Sequence, residues 1–166
     1  MSGHQPRTTL PHRRSRQTVF LIALLSSCMF LSSCGIGIFT RKLFCETLDI
    51  EIAVQEVANN EYPLAMDVVY IYDEEAFREV LQMTAKDWFE KRSALLEGPD
   101  ADLYESWSWE WSPGQDTTLH LPLRQSVEGA IVFANYFVPG QHRVRIEPFQ
   151  DVRIEFAFDD MVVKPL

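Results

Sequence analysis

The chain has 166 residues and carries 24 Asp and Glu against 15 Lys and Arg, a net charge of −9. Such acidity excludes a nucleic-acid binder, whose grip on phosphate needs Lys and Arg, and it favours a partner with a basic patch. The length suits one domain with one core.

The first 33 residues read as an export signal. Arg7, Arg13, Arg14 and Arg16 make a basic start with no acid before Cys34, and an apolar run follows from Val19 to Leu31, broken only by Ser26, Ser27 and Cys28. That run is shorter than the ~20 apolar residues of a membrane span, and its layout is that of a secretory signal peptide. Leu31-Ser32-Ser33-Cys34 fits a lipobox, in which small residues admit a peptidase and the cysteine thiol takes a diacylglyceryl group. Leu25-Ser26-Ser27-Cys28 has the same form and leaves the site open. Cys34 is preferred, because it leaves a longer apolar core upstream and is followed by small Gly35 rather than bulky Met29. Cleavage there removes four cations and no acid, so the remaining 133 residues carry −13. An acylated Cys34 leaves Cys45 alone, so no internal disulfide is expected.

Residues 34–45 read as the lipidated cysteine and a tether, and 46–166 as one β-rich domain. Leu48, Ile50, Ile52 and Val54 alternate with Asp49, Glu51, Ala53 and Gln55, the period of a strand with one buried face. Ala58-Asn59-Asn60-Glu61-Tyr62-Pro63 reads as a loop, since Asn tolerates left-handed dihedrals and Pro stops a ladder. Met66–Tyr72 is the next strand. The period then lengthens. Phe77, Val80, Leu81 and Thr84 share a helical face behind an Asp73 cap, and Thr84 with Asp87 starts a second helix carrying Trp88, Phe89 and Leu95 or Leu96. This helical insertion spans about 73–96 and ends at Gly98-Pro99-Asp100.

The remainder returns to strands. Trp107, Trp109 and Trp111 alternate with Ser108 and Glu110, and Ser112-Pro113-Gly114-Gln115 follows as a turn. Leu119, Leu121 and Leu123 alternate with His120 and Pro122, the proline marking an edge strand. Ala130–Val138 is nearly all apolar, as for a central strand covered on both faces. Pro139-Gly140 turns the chain into Arg143–Ile146. Val152, Ile154, Phe156 and Phe158 alternate, and Met161–Val163 is a last short strand. Some seven strands with one helical insertion indicate a β-sandwich.

No catalytic constellation appears: there is no phosphate loop, nucleophile elbow or paired-histidine motif. His120 and His142 lack metal-ligand spacing. Asp73-Glu74-Glu75 reads as charge favourable at a helix start, and Asp159-Asp160 as a solvated turn. No catalytic residue, metal, cofactor beyond the lipid on Cys34, or small-molecule substrate is therefore expected. The tryptophan ladder admits two readings: a core face, with Trp109 buried, or an outward stacking platform for glycan or peptidoglycan.

These residues together resemble the small lipoprotein of the type VI secretion membrane complex, the TssJ/SciN family. The resemblance rests on Leu31-Ser32-Ser33-Cys34, on Asn59-Asn60 and Pro63 followed by Val68-Val69-Tyr70-Ile71-Tyr72, and on Phe77, Leu81 and Trp88-Phe89. It continues through Pro113-Gly114, Ile131–Phe137 and His142-Arg143-Val144-Arg145. The chain departs from the family at Asp73-Glu74-Glu75-Ala76, which lacks its Gln-Leu, and at His142, where Trp is common. The resemblance implies a transthyretin-like β-sandwich with a small helical insertion, lipid-anchored on the periplasmic face of the outer membrane. It implies a scaffold that binds the periplasmic domain of an inner-membrane, TssM-type partner through the loop between the first two strands. Here that loop is Val57 to Pro63, with Ala58, Asn59, Asn60, Glu61 and Tyr62 as the contact residues.

Overall fold

The computed structural model describes residues 47–166. The expected export signal and tether, with Cys28, Cys34 and Cys45, lie outside the described residues. Among the described residues eight strands form two four-stranded sheets. The first sheet contains β1 (Thr47–Val54), β4 (Asp116–Pro122), β7 (Val152–Phe156) and β8 (Met161–Pro165), in the order β4-β1-β7-β8. The second contains β2 (Leu64–Ile71), β3 (Tyr104–Trp111), β5 (Gly129–Ala134) and β6 (Arg143–Ile146), in the order β3-β2-β5-β6. Among the described strands only β1 and β7 pair in parallel. Pro122 closes the edge strand β4, where its missing N–H costs no ladder bond.

The alternation seen in the sequence sets the core. Leu48, Ile50, Ile52 and Val54 of β1 and Val152, Ile154 and Phe156 of β7 meet Leu64, Met66, Val68 and Tyr70 of β2 and Ala130, Val132 and Ala134 of β5 between the sheets. The opposite faces of β2 and β5 are also buried, because two helices cover them. Val69, Ile71, Ile131 and Phe133 pack under α1 (Glu74–Val80) and α2 (Ala85–Leu96). Both expected caps form. Asp73 accepts from the backbone N–H of Glu75 and Ala76. Thr84 and Asp87 form a reciprocal capping box, and these bonds hold Asp87 below the usual carboxylate range.

A buried polar tie fixes the helical layer. Asp67, 1 % exposed on β2, accepts from Trp88 Nε1 at 2.8 Å and from an Arg92 guanidinium nitrogen at 2.7 Å. Trp88 is fully buried and stacks on Phe133, with ring centroids 5.1 Å apart.

The tryptophan ladder faces the core. Trp107, Trp109 and Trp111 pair with Val68, Met66 and Leu64, all inward residues of β2. The ladder therefore packs against the core, with Trp107 and Trp109 partly exposed at the sheet edge. The expectation for Trp109 nevertheless needs correction: it is half-buried, and Trp111 is the buried member. The reason is that β3 is an edge strand, so its side chains close over the core only where the neighbouring hairpin and sheet cover them. Trp111→Ala is expected to cost about 3–5 kcal/mol, the scale of a core aromatic, and Trp109→Ala distinctly less. Urea unfolding of the two variants measures the order.

Candidate docking surface

Strand register brings four loops to one end of the sandwich. Ala53 pairs with Asp116, Val54 with Phe156, Leu64 with Trp111 and Met66 with Ala134. The loops 55–63, 112–115, 135–142 and 157–160 therefore share that end. The first strand enters from the other end, where Thr47 faces Pro122.

The loops are tied together by hydrogen bonds. Gly114, at φ +77°, turns the β3–β4 hairpin and donates its N–H to the Val54 carbonyl at 3.0 Å. Asn135 N–H donates to Ala65 O at 2.8 Å, and the Tyr136 hydroxyl donates to Asp160 O at 2.7 Å. His142 is buried at φ +42°. Its Nε2 lies 2.8 Å from the Val138 carbonyl and its Nδ1 3.3 Å from the Asp160 carboxylate. A methyl group on Gly140 would fall 2.3 Å from the His142 ring, so glycine there makes room for it. Asp160 is thus more than the solvated turn residue read from the sequence: its carboxylate also accepts from Met161 N–H. Burial pushes the Tyr136 hydroxyl well above its ordinary pKa.

The five contact residues expected between β1 and β2 divide into two groups. Asn59, Asn60 and Glu61 stand consecutively in the left-handed region, at φ 49°, 56° and 66°. Asn tolerates that region; Glu pays of order 1–2 kcal/mol for it. Asn59 is 3 % exposed. Its Nδ2 donates to Pro63 O at 2.9 Å and its Oδ1 accepts from Phe137 N–H at 2.6 Å. Ala58 is buried beside it. In this arrangement Ala58 and Asn59 hold the loop, and Asn60, Glu61 and Tyr62 reach solvent.

Phe137 was not legible as a surface residue. The apolar run Ala130–Val138 reads as one buried strand, but β5 ends at Ala134. Asn135 N–H turns to Ala65, and Asn59 captures the Phe137 amide. Phe137 is left 75 % exposed, stacked on Tyr62 at 5.7 Å with 16° between ring planes. Beside it a cleft of about 400 Å³ is lined by Lys86, Phe137, Val138, Pro139 and Gly140 among others.

Other polar groupings belong to the scaffold. Glu51, Arg153, Glu155 and Lys164 form an ion ladder on the outer face of the first sheet. At the opposite end Arg124, together with the Tyr72 hydroxyl, holds Glu105 below the usual carboxylate range. Among the described residues no three His, Cys, Asp or Glu side chains are grouped to hold a metal ion. No described helix is long and apolar enough to cross a membrane.

Solved structures share this architecture. TssJ1, the type VI secretion lipoprotein from Pseudomonas aeruginosa, is similar over 73 % of this chain and 96 % of its own, with 13 % identity and a TM-score of 0.57. The fold is that of the type VI secretion lipoproteins. Serratia marcescens Lip, a membrane-bound component of that system, matches over the same 73 % and 96 % with a TM-score of 0.54 and 13 % identity. A chain of a type VI membrane complex matches with a TM-score of 0.58 and 19 % identity, over 72 % of this chain and 98 % of that one. A chain in the structure of the TssM C-terminal domain from EAEC matches at 0.56 and 18 %, over 73 % and 99 %. No family model and no curated protein matches the sequence. The TssJ-like fold accounts for both sheets and the two-helix layer.

Proposed function

We propose that this chain is the lipoprotein of a type VI secretion membrane complex. It is anchored by lipid on Cys34 to the periplasmic face of the outer membrane and binds the periplasmic domain of a TssM-type inner-membrane subunit. Its role is structural rather than catalytic. The observation that carries this reading is the shared fold, which spans 96 % of the TssJ1 lipoprotein, in a sequence that also contains a lipobox. The domain's geometry supports it. Cys34 precedes Thr47 by 13 residues, a reach of at most about 45 Å when fully extended, and the four-loop end points away from where the first strand begins. An acylated N-terminus thus leaves those loops free for a partner from the opposite membrane.

The test is a calorimetric titration of the full chain in detergent with the periplasmic domain of the TssM-type subunit from the same bacterium. The parent is expected to bind. Asn60→Ala combined with Tyr62→Ala is expected to bind more weakly with a nearly unchanged melting temperature, since exposed loop side chains contribute little to stability. Full-strength binding by a stable double variant removes the loop from the interface. Absence of binding by the parent removes the secretion-complex reading.

A further inference from the structure

We propose that the docking surface is built from two loops, with Phe137 of the β5–β6 loop as its aromatic anchor. It takes a partner segment that presents an apolar side chain flanked by Lys or Arg. This rests on the anchoring function above and specifies the contact chemistry of that site.

The first argument is the distribution of exposed apolar groups. Among the described residues six large hydrophobic side chains are exposed, and four of them, Val57, Tyr62, Phe137 and Phe158, lie in three of the loops at this end. Scattered exposure needs no explanation, but a concentration at one end marks an interaction site.

The second argument is rigidity. Asn59 is hydrogen-bonded to both loops at once, on the Pro63 carbonyl and on the Phe137 amide. Three successive left-handed residues bring Tyr62 round to stack on Phe137. Backbone held in a costly conformation persists where the surroundings over-determine it, typically at functional surfaces. Rings fixed in advance lose little entropy on binding, which is the condition for a hot spot. The cleft beside Phe137, bounded by Val138 and Pro139, offers space for a side chain next to the stack.

The third argument is charge. The four loops contain Glu56, Glu61, Asp159 and Asp160 and no Lys or Arg; the cation beside them, Lys86 of α2, lines the cleft next to Phe137 and pairs with Glu90 at 3.8 Å. An apolar centre inside an acidic rim selects a basic-flanked segment and steers its approach. The same charge disfavours a second copy of this chain, which would set two acidic rims against each other.

The probe is again the purified TssM-type periplasmic domain, titrated with the full chain in detergent at about 50 and 300 mM salt. Phe137→Ala is expected to weaken binding at least tenfold without altering the melting temperature. Parent binding is expected to weaken as salt rises, and Glu61→Lys to weaken it at low salt. If the parent binds and Phe137→Ala binds equally well, the two-loop surface is wrong while the anchoring function stands. If parent affinity is indifferent to salt, the basic-flanked partner is wrong. If the parent does not bind, the anchoring function fails and this surface with it. If the parent instead self-associates through Phe137, the occupant is a second copy and the proposal is overturned.

Discussion

Replacing Trp88 with alanine is expected to destabilise the domain by about 3–5 kcal/mol. Three losses coincide at that position. The indole fills the interface between α2 and the second sheet with no solvent exposure. Its stack on Phe133 disappears, and stacked aromatic pairs are worth about 0.5–1.5 kcal/mol beyond burial. Asp67 also loses a donor while remaining buried. Trp88→Phe keeps the stack and drops only the hydrogen bond, so it is expected to cost about 1–3 kcal/mol. Asp67→Ala leaves the indole N–H unpaired and frees Arg92, whose side chain is 35 % exposed and can rehydrate. The two alanine variants share one network and should combine to less than their sum. Urea unfolding followed by circular dichroism checks each value. An unchanged midpoint for Trp88→Ala would mean that the helices do not pack on the sheet as described.

Cys34→Ser is expected to abolish lipid labelling and release the chain into the soluble periplasm. The effect is all or none because one thiol carries the thioether-linked diacylglyceryl group, and burial of each acyl methylene stabilises membrane attachment by about 0.8 kcal/mol. Cys28→Ser should label like the parent. Labelling that survives Cys34→Ser and vanishes in Cys28→Ser moves the cleavage site to the upstream lipobox. A parent that takes no label removes the anchor from the account.

The parts of the fold readable in the sequence are those set by local chemistry. Period-two alternation in β1 and β7 assigns their inward faces, and Asp73 and Thr84 cap helices because their side chains reach N–H groups two or three residues on. Pro122 sits on an edge for want of an N–H. The parts that were not readable depend on partners far along the chain. Asp67 looks like the polar position of an alternating strand, and only α2, laid over that face, makes it a buried acid with Trp88 and Arg92 as donors. Trp109 and Trp111 differ in burial through their position along an edge strand, which composition does not encode. Phe137 ends an apolar run, yet Asn59, 78 residues earlier, holds its amide and leaves the ring in solvent. The segment between the first two strands was therefore legible as a loop from its Asn-Asn-Glu-Tyr-Pro chemistry, while the turn that exposes Phe137 was not.

The central claim is that this chain links the outer membrane to an inner-membrane secretion subunit. It is tested most directly by isolating the full-length chain from the solubilised envelope of its own bacterium and identifying what accompanies it. The account predicts that the TssM-type subunit copurifies with the lipidated parent and is lost from the Asn60→Ala, Tyr62→Ala chain, although that chain remains folded and acylated. Recovery of the acylated parent without that subunit, from cells that produce it, would contradict the account.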